Sequence, residues 1–258
     1  MHQLEVSDLT GLWRRSLIVR ADGGRDTTSW VRWLQGRSDY ADLRQPLGRP
    51  DFGGVQCLRQ LTRTHLDWMA TQDGFAGKLL ISGGIFEWRR DIDFQPSGPM
   101  PDRGCLTSKG DMVIETGYHS PYIEHWHLDS RSEAPVYALR LEDRANGCAG
   151  QIVRVGELFM YARGRSTGLP AAADLAACIA CAGSLSDAQD IADCEVSFGS
   201  VNGPCWAIRQ STLPFKEGQL LGMRLAGDLH HVETLDLLAN GREMSRSWDT
   251  IAVEGTVV

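Results

Sequence analysis

The sequence predicts an all-β protein, an antiparallel barrel carrying short helical insertions. Three observations predict it. Segments with period-two alternation recur along most of the 258 residues at a spacing of roughly 8 to 12 residues. Glycine outnumbers proline 28 to 10, which suits many short strands joined by tight turns. Eight tryptophans are present, several of them on strand-like stretches.

The first strand is expected over Leu9 to Arg20, with Trp13, Arg15, Leu17 and Val19 on one face. The Ala21-Asp22-Gly23-Gly24 turn has hairpin chemistry and leads to a partner strand, Thr27 to Gln35, that carries Trp30 and Trp33. Tyr40 to Gln45 follows, with Tyr40, Asp42 and Arg44 sharing a face, and ends at Pro46. From Cys57 to Asp73 apolar residues fall at three and four residue spacing, so a short helix is expected there. Strands then run from Lys78 to Arg163. An Ala-rich stretch near 166–193 predicts one or two more helices, and strand-like segments resume from Cys194 to Val253. No internal repeat is apparent in the residues. The whole chain reads as a single barrel domain, with the helical stretches inserted into one sheet, because the tail alone is short for a core of its own.

A formal charge of −7 argues against non-specific binding to nucleic acid or to an anionic membrane surface, both of which call for a basic face. No apolar run reaches membrane-helix length, and the amino terminus does not read as a signal segment, so a cytoplasmic protein is expected. Seven scattered cysteines fit reduced thiols. The Cys178-Ile179-Ala180-Cys181 pair reads as small apolar filler in a helical stretch. The nucleophile elbow and the glycine-rich phosphate loops are missing from the sequence, which lowers the expectation of that kind of hydrolase, NTPase or dehydrogenase.

Two stretches carry the candidate chemistry. In Ile85 to Gln95 the alternation puts Phe86, Trp88, Ile92 and Phe94 on one face with Arg90 among them, and Glu87, Arg89, Asp91 and Asp93 on the other. In Tyr122 to Leu128 it puts Tyr122, Trp126 and Leu128 on one face with Glu124 among them, while Ile123, His125 and His127 point away. A guanidinium and a carboxylate set in aromatic stripes are expected to meet each other or a ligand inside a closed sheet, because an unpaired buried charge is costly. A structural salt bridge is the plainer alternative. Arg15 and Arg44 are candidates for the same interior.

His119, Glu124, His125, His127 and Glu133 invite a metal reading, loosely similar to the first cupin motif. The alternation places His125 and His127 on the outer face, so a solvated pair is the preferred reading, and no metal or other cofactor is expected.

Gly11-Leu12-Trp13, at the start of the first strand of an antiparallel meander, resembles the Gly-x-Trp motif of the lipocalin and fatty-acid-binding (calycin) barrels. The resemblance implies that Trp13 closes one end of the barrel, that a late arginine, Arg242 or Arg246, packs over it, and that a lipocalin-like barrel encloses a small ligand. The expected function is therefore binding of a small amphipathic, anionic molecule. Arg90 would anchor the anion, Glu124 would be its polar partner, and Trp33, Trp88, Tyr122 and Trp126 would form the walls. The alternative is a lyase or isomerase using Glu124 as acid or base in the same cavity, or a cupin-like enzyme with metal on His125 and His127.

Overall fold

The computed structural model describes residues 4–132, 134–225, 227 and 229–257. Its first half forms a closed antiparallel barrel. Strand β1 (Gly11–Val19) leads to the two-residue β2 (Arg25–Asp26), then β3 (Trp30–Gln35), β4 (Asp39–Gln45), β5 (Asp73–Ser82) and β6 (Ile85–Asp93). After these come β7 (Arg103–Lys109), β8 (Met112–Gly117) and β9 (Ile123–Ser130). Every neighbour pairs antiparallel, and β9 returns to pair with β1, with Arg15 opposite Trp126 and Trp13 opposite Leu128. The ring therefore has eight strands, β2 being a short extension beside β1. Closure leaves this sheet no long free edge.

The strands from Val136 onward do not enter that ring. β10 (Val136–Asp143), β11 (Cys148–Val155), β12 (Leu158–Arg163), β13 (Glu195–Asn202), β14 (Cys205–Ser211), β15 (Arg224–Leu225), β16 (His231–Leu237) and β17 (Glu243–Gly255) form a second antiparallel sheet. The expectation of one sheet fails because the tail does not stand alone: it joins β10 to β12 to enclose a core of its own, with Tyr137, Leu139, Ile152, Phe159, Trp206 and Trp248 buried in it.

The second sheet also curls into an eight-membered ring. The segment 219–221 bonds to β14 on one side (Leu221 N–H to Trp206 O, 2.8 Å) and to β16 on the other (Leu235 N–H to Leu221 O, 2.7 Å). It thus serves as the sixth strand, continued by β15. The two rings follow one plan. In each, the first strand pairs with the last, and the helices leave between the third and fourth strands: α1 (Arg63–Met69) between β4 and β5, and α2 (Leu175–Ala180) with α3 (Leu185–Ile191) between β12 and β13.

The correspondence extends to single residues. In β6, Arg90 pairs with Gly77 and Ile92 with Ala76, leaving Asp91 as an extra residue; in β14, Ile208 pairs with Gly199 and Gln210 with Phe198, leaving Arg209 extra. Both bulges need a glycine opposite them, since a Cβ on Gly77 would fall on the carbonyl oxygen of Arg89 and one on Gly199 on that of Ala207. On the last two strands, Trp126 faces Val113 and Trp248 faces Val232, with Glu124 facing Glu115 and Arg246 facing Thr234. The structure thus contains an internal repeat that the sequence does not display.

The bulge also corrects the strand reading. Past the extra Asp91 the alternation inverts, so Ile92 and Phe94 leave the Phe86 and Trp88 face and join the core between the two rings, while Asp93 turns inward. That shared core holds Leu34, Leu43, Ala138, Val153, Phe198 and the apolar faces of all three helices. The helices, in the two stretches expected to be helical, pack between the rings.

The first ring has its own interior of Trp13, Trp33, Tyr40, Phe75, Phe86, Trp88 and Trp126. Trp13 is buried in this interior: it stacks on Trp33 at 5.9 Å, and its indole N–H donates to Leu9 O at 2.6 Å. Neither late arginine packs over it. Arg246 lies over Trp248 in the second ring, at 5.5 Å, and Arg242 sits in the turn between β16 and β17. No helix among the described residues is long and apolar enough to cross a membrane.

Candidate functional site

At the end of the first ring away from Trp13, a cavity of about 550 Å³ opens beneath the Pro-rich connection between β6 and β7. Six of the eight residues expected in the binding interior line it: Arg44, Trp88, Arg90, Tyr122, Glu124 and Trp126. The strand alternation brings them together, because each points inward from β4, β6 or β9 and its approach. Trp33 and Arg15 stand behind this lining. Trp33 is the layer below, with its ring 5.9 Å from Trp88 and 5.5 Å from Trp126. Arg15 is buried against Glu124.

The charge pairing differs from the expected one. Arg90 does not take Glu124 as its partner; its Nη1 meets Asp93 at 3.2 Å, its Nη2 meets Asp102 at 2.7 Å, and its guanidinium lies 3.5 Å from the centre of the Phe75 ring. The inversion at Asp91 is the reason, since it delivers Asp93 to the interior next to Arg90. Glu124 instead receives two other arginines on Oε1: Arg15 at 2.5 Å and Arg44 at 3.3 Å. Arg44 also holds Asp42 at 2.9 Å.

These groups perturb one another. Burial works against the charge of Arg44, yet Asp42 and Glu124 outweigh it and raise its pKa. Burial, and then the neighbouring Arg44, lower that of Arg15. Burial raises the carboxyl of Asp93 to about 6, against the pull of Arg90.

Sequence reasoning missed Glu115, on β8 directly opposite Glu124. It is 4% exposed and lines the cavity. Two neutral groups donate to it: the Tyr122 hydroxyl to Oε1 at 2.6 Å and the Trp126 indole N–H to Oε2 at 3.0 Å. Burial, and next the charge of Glu124, push its pKa up to about 8. Gly104 on β7 makes room for it, because a Cβ there would come within 3.1 Å of Glu115 Cγ. The available signal was weak: Met112 to Gly117 is a short strand with apolar residues on both faces, so its inward carboxylate does not stand out as Glu124 does.

His127 Nε2 lies 2.9 Å from the Ser16 hydroxyl on the outer side of the β1–β9 pair, and neither His125 nor His127 lines the cavity, although His119 does at its rim. Among the described residues no group of three or more His, Cys, Asp or Glu is placed to hold a metal ion; Glu133 lies outside the described residues.

No family model matches the chain, and no curated protein matches it. Its fold is similar to the crystal structure of an uncharacterised protein, YLR301w, from Saccharomyces cerevisiae, with a TM-score of 0.51 at 9% identity over 95% of this chain and 98% of that one. At that identity the likeness shows a common fold and nothing of activity.

Proposed function

We propose that the first ring is a calycin-like binding barrel that holds a small amphipathic molecule in its cavity. The observation that carries this reading is the contrast between the two rings of one chain. The second packs Tyr137, Phe159, Tyr161, Trp206 and Trp248 into its interior, and Lys216, from the turn Pro214–Lys216, is 2% exposed. The first keeps about 550 Å³ open, a volume within the range of drug-sized ligand sites. Its lower walls are Trp88 and Trp126, backed by Trp33, and its upper walls are charged. Apolar surface below polar groups suits an amphipathic molecule that enters apolar end first.

The lining charges do not select an anionic ligand. Six carboxylates and four arginines line the cavity. Arg90, the expected anchor, is met by two of those carboxylates. A cytoplasmic setting fits the seven cysteines, all of them free.

Native mass spectrometry of the purified protein tests the reading. A small molecule retained under native conditions and released on denaturation is the expected result, with hydrogen exchange showing added protection in β6, β8 and β9 on rebinding. Protection confined to β10–β17 would overturn it.

A further inference from the structure

The class of ligand follows from the charge arrangement, and this step rests on the binding role just proposed. We infer that the cavity receives a protonated amine, with the ammonium seated on Glu115 and the hydrocarbon or aromatic body against Trp88 and Trp126.

Two independent observations lead there. The first is the imbalance across β8 and β9. Glu124 has Arg15 and Arg44 on one oxygen, whereas Glu115, facing it across the strands and just as buried, takes its hydrogen bonds from Tyr122 and Trp126, neither of which carries a positive charge. The groups facing Glu115 from the packed elements are Tyr122, Glu124 and Trp126 on the β9 side, Asp102 on the β6–β7 connection and Arg44 on β4; the charges of Glu124 and Asp102 disfavour its ionised form, and that of Arg44 favours it. A cation arriving at Glu115 thus favours its ionised form, against the pull of Glu124 and Asp102, while an anion disfavours that form further.

The second observation is in the sister ring. There an ammonium does occupy the interior: Lys216 reaches in from the turn after the fifth strand and places Nζ 3.6 Å from Asp236 and 3.9 Å from Glu195. The corresponding connection of the first ring, residues 95–102, contains no lysine or arginine, and the cavity lies beneath it. What the second ring supplies from its own chain, the first ring takes from a ligand.

Binding has a proton balance that can be measured. An amine cation lowers the pKa of Glu115, so at neutral pH its binding releases a proton from that carboxyl to solvent, and its affinity rises from pH 6 towards pH 8 as Glu115 ionises unaided.

The test is calorimetric titration of the full chain with three matched probes: phenethylamine, phenethyl alcohol and phenylacetate. The amine is expected to bind at least about tenfold more tightly than the alcohol, a preference of charge-assisted size. In Glu115→Gln the amine should lose its preference over the alcohol. Titration in two buffers of different ionisation enthalpy should report proton release for the native protein and none for the variant. Near-UV circular dichroism of the tryptophans checks that the variant is folded; if it is not, the pH profile and proton release of the native protein decide alone. Equal binding of all three probes, or preference for phenylacetate, overturns the amine assignment and leaves the binding barrel standing. If neither these probes nor a broader small-molecule set binds the first ring, the amine assignment and the binding reading both fall.

Discussion

Glu115 and Glu124 face each other across β8 and β9, yet arginine side chains bond only to Glu124. The cause is topological. Closure of the ring sets β1 beside β9, so Arg15 lies across from Trp126 and reaches Glu124, and Arg44 reaches the same oxygen across the interior from β4. Glu115, one strand further from β1, is left to Tyr122 and Trp126.

This asymmetry predicts unequal consequences of removing either carboxylate. Glu124→Ala leaves Arg15 and Arg44 facing each other without their shared counter-charge, and Arg15 is 9% exposed, so a loss of about 3–5 kcal/mol is expected. Glu115→Gln removes no ion pair and should cost under about 1 kcal/mol. Urea unfolding of the two variants side by side measures the difference; equal losses would contradict the pairing.

The pH dependence has a definite sign. Glu115 is raised from 4.5 to about 8 and Asp93 from 3.8 to about 6, in both cases first by burial. Each native carboxyl holds its proton more tightly than the unfolded chain does. Their contribution is therefore complete below the unfolded pKa values and is lost as pH rises towards 6 for Asp93 and 8 for Glu115. Unfolding free energy should decline across that window, and Glu115→Gln should flatten its upper part. A decline of the same slope in the variant would place the titrating group elsewhere.

The paired bulges predict paired sensitivity. Gly77→Ala and Gly199→Ala each drive a methyl group into a carbonyl oxygen of the neighbouring strand. Each should cost about 1–3 kcal/mol or more by the cost of overpacking. Gly199→Ala should be the worse, because its methyl group also meets the Phe159 ring. Denaturant midpoints test this; tolerance at either position would mean that its bulge is not formed.

In the second ring, Lys216→Met withdraws a buried cation from Glu195 and Asp236 and should cost about 3–5 kcal/mol. Asp236 is held at about 2 despite its burial, chiefly by Arg163 and Lys216, so its contribution is present above 3.8 and is lost as pH falls towards 2. The variant should lose stability near neutral pH while ligand binding in the first ring is unchanged. Thermal unfolding together with a binding titration separates the two effects.

Much of the site was legible because the inward residues of β6 and β9 alternate cleanly. Trp88 with Arg90, and Glu124 with Trp126, are each two residues apart and point the same way, which period-two counting detects. Ile92 and Phe94 were misread because the extra residue Asp91 leaves no mark in the sequence; only the ladder against Gly77 and Ala76 shows it. The partner of Arg90 was lost by the same step, since Asp93 turns inward only past the bulge. Glu115 was hidden in a strand with apolar residues on both faces. The internal repeat was hidden because the equivalent interior positions exchange chemistry, as Glu115 with Thr234 and Glu124 with Arg246, while the features that persist are a glycine, a bulge and a strand order.

The most direct measurement of the central claim is a crystallographic fragment screen of the full chain. The account predicts fragments bound beneath residues 95–102, in contact with Trp88, Tyr122 and Glu115, and none inside the ring closed by Lys216. An empty first ring, or fragments held within the second, would contradict it.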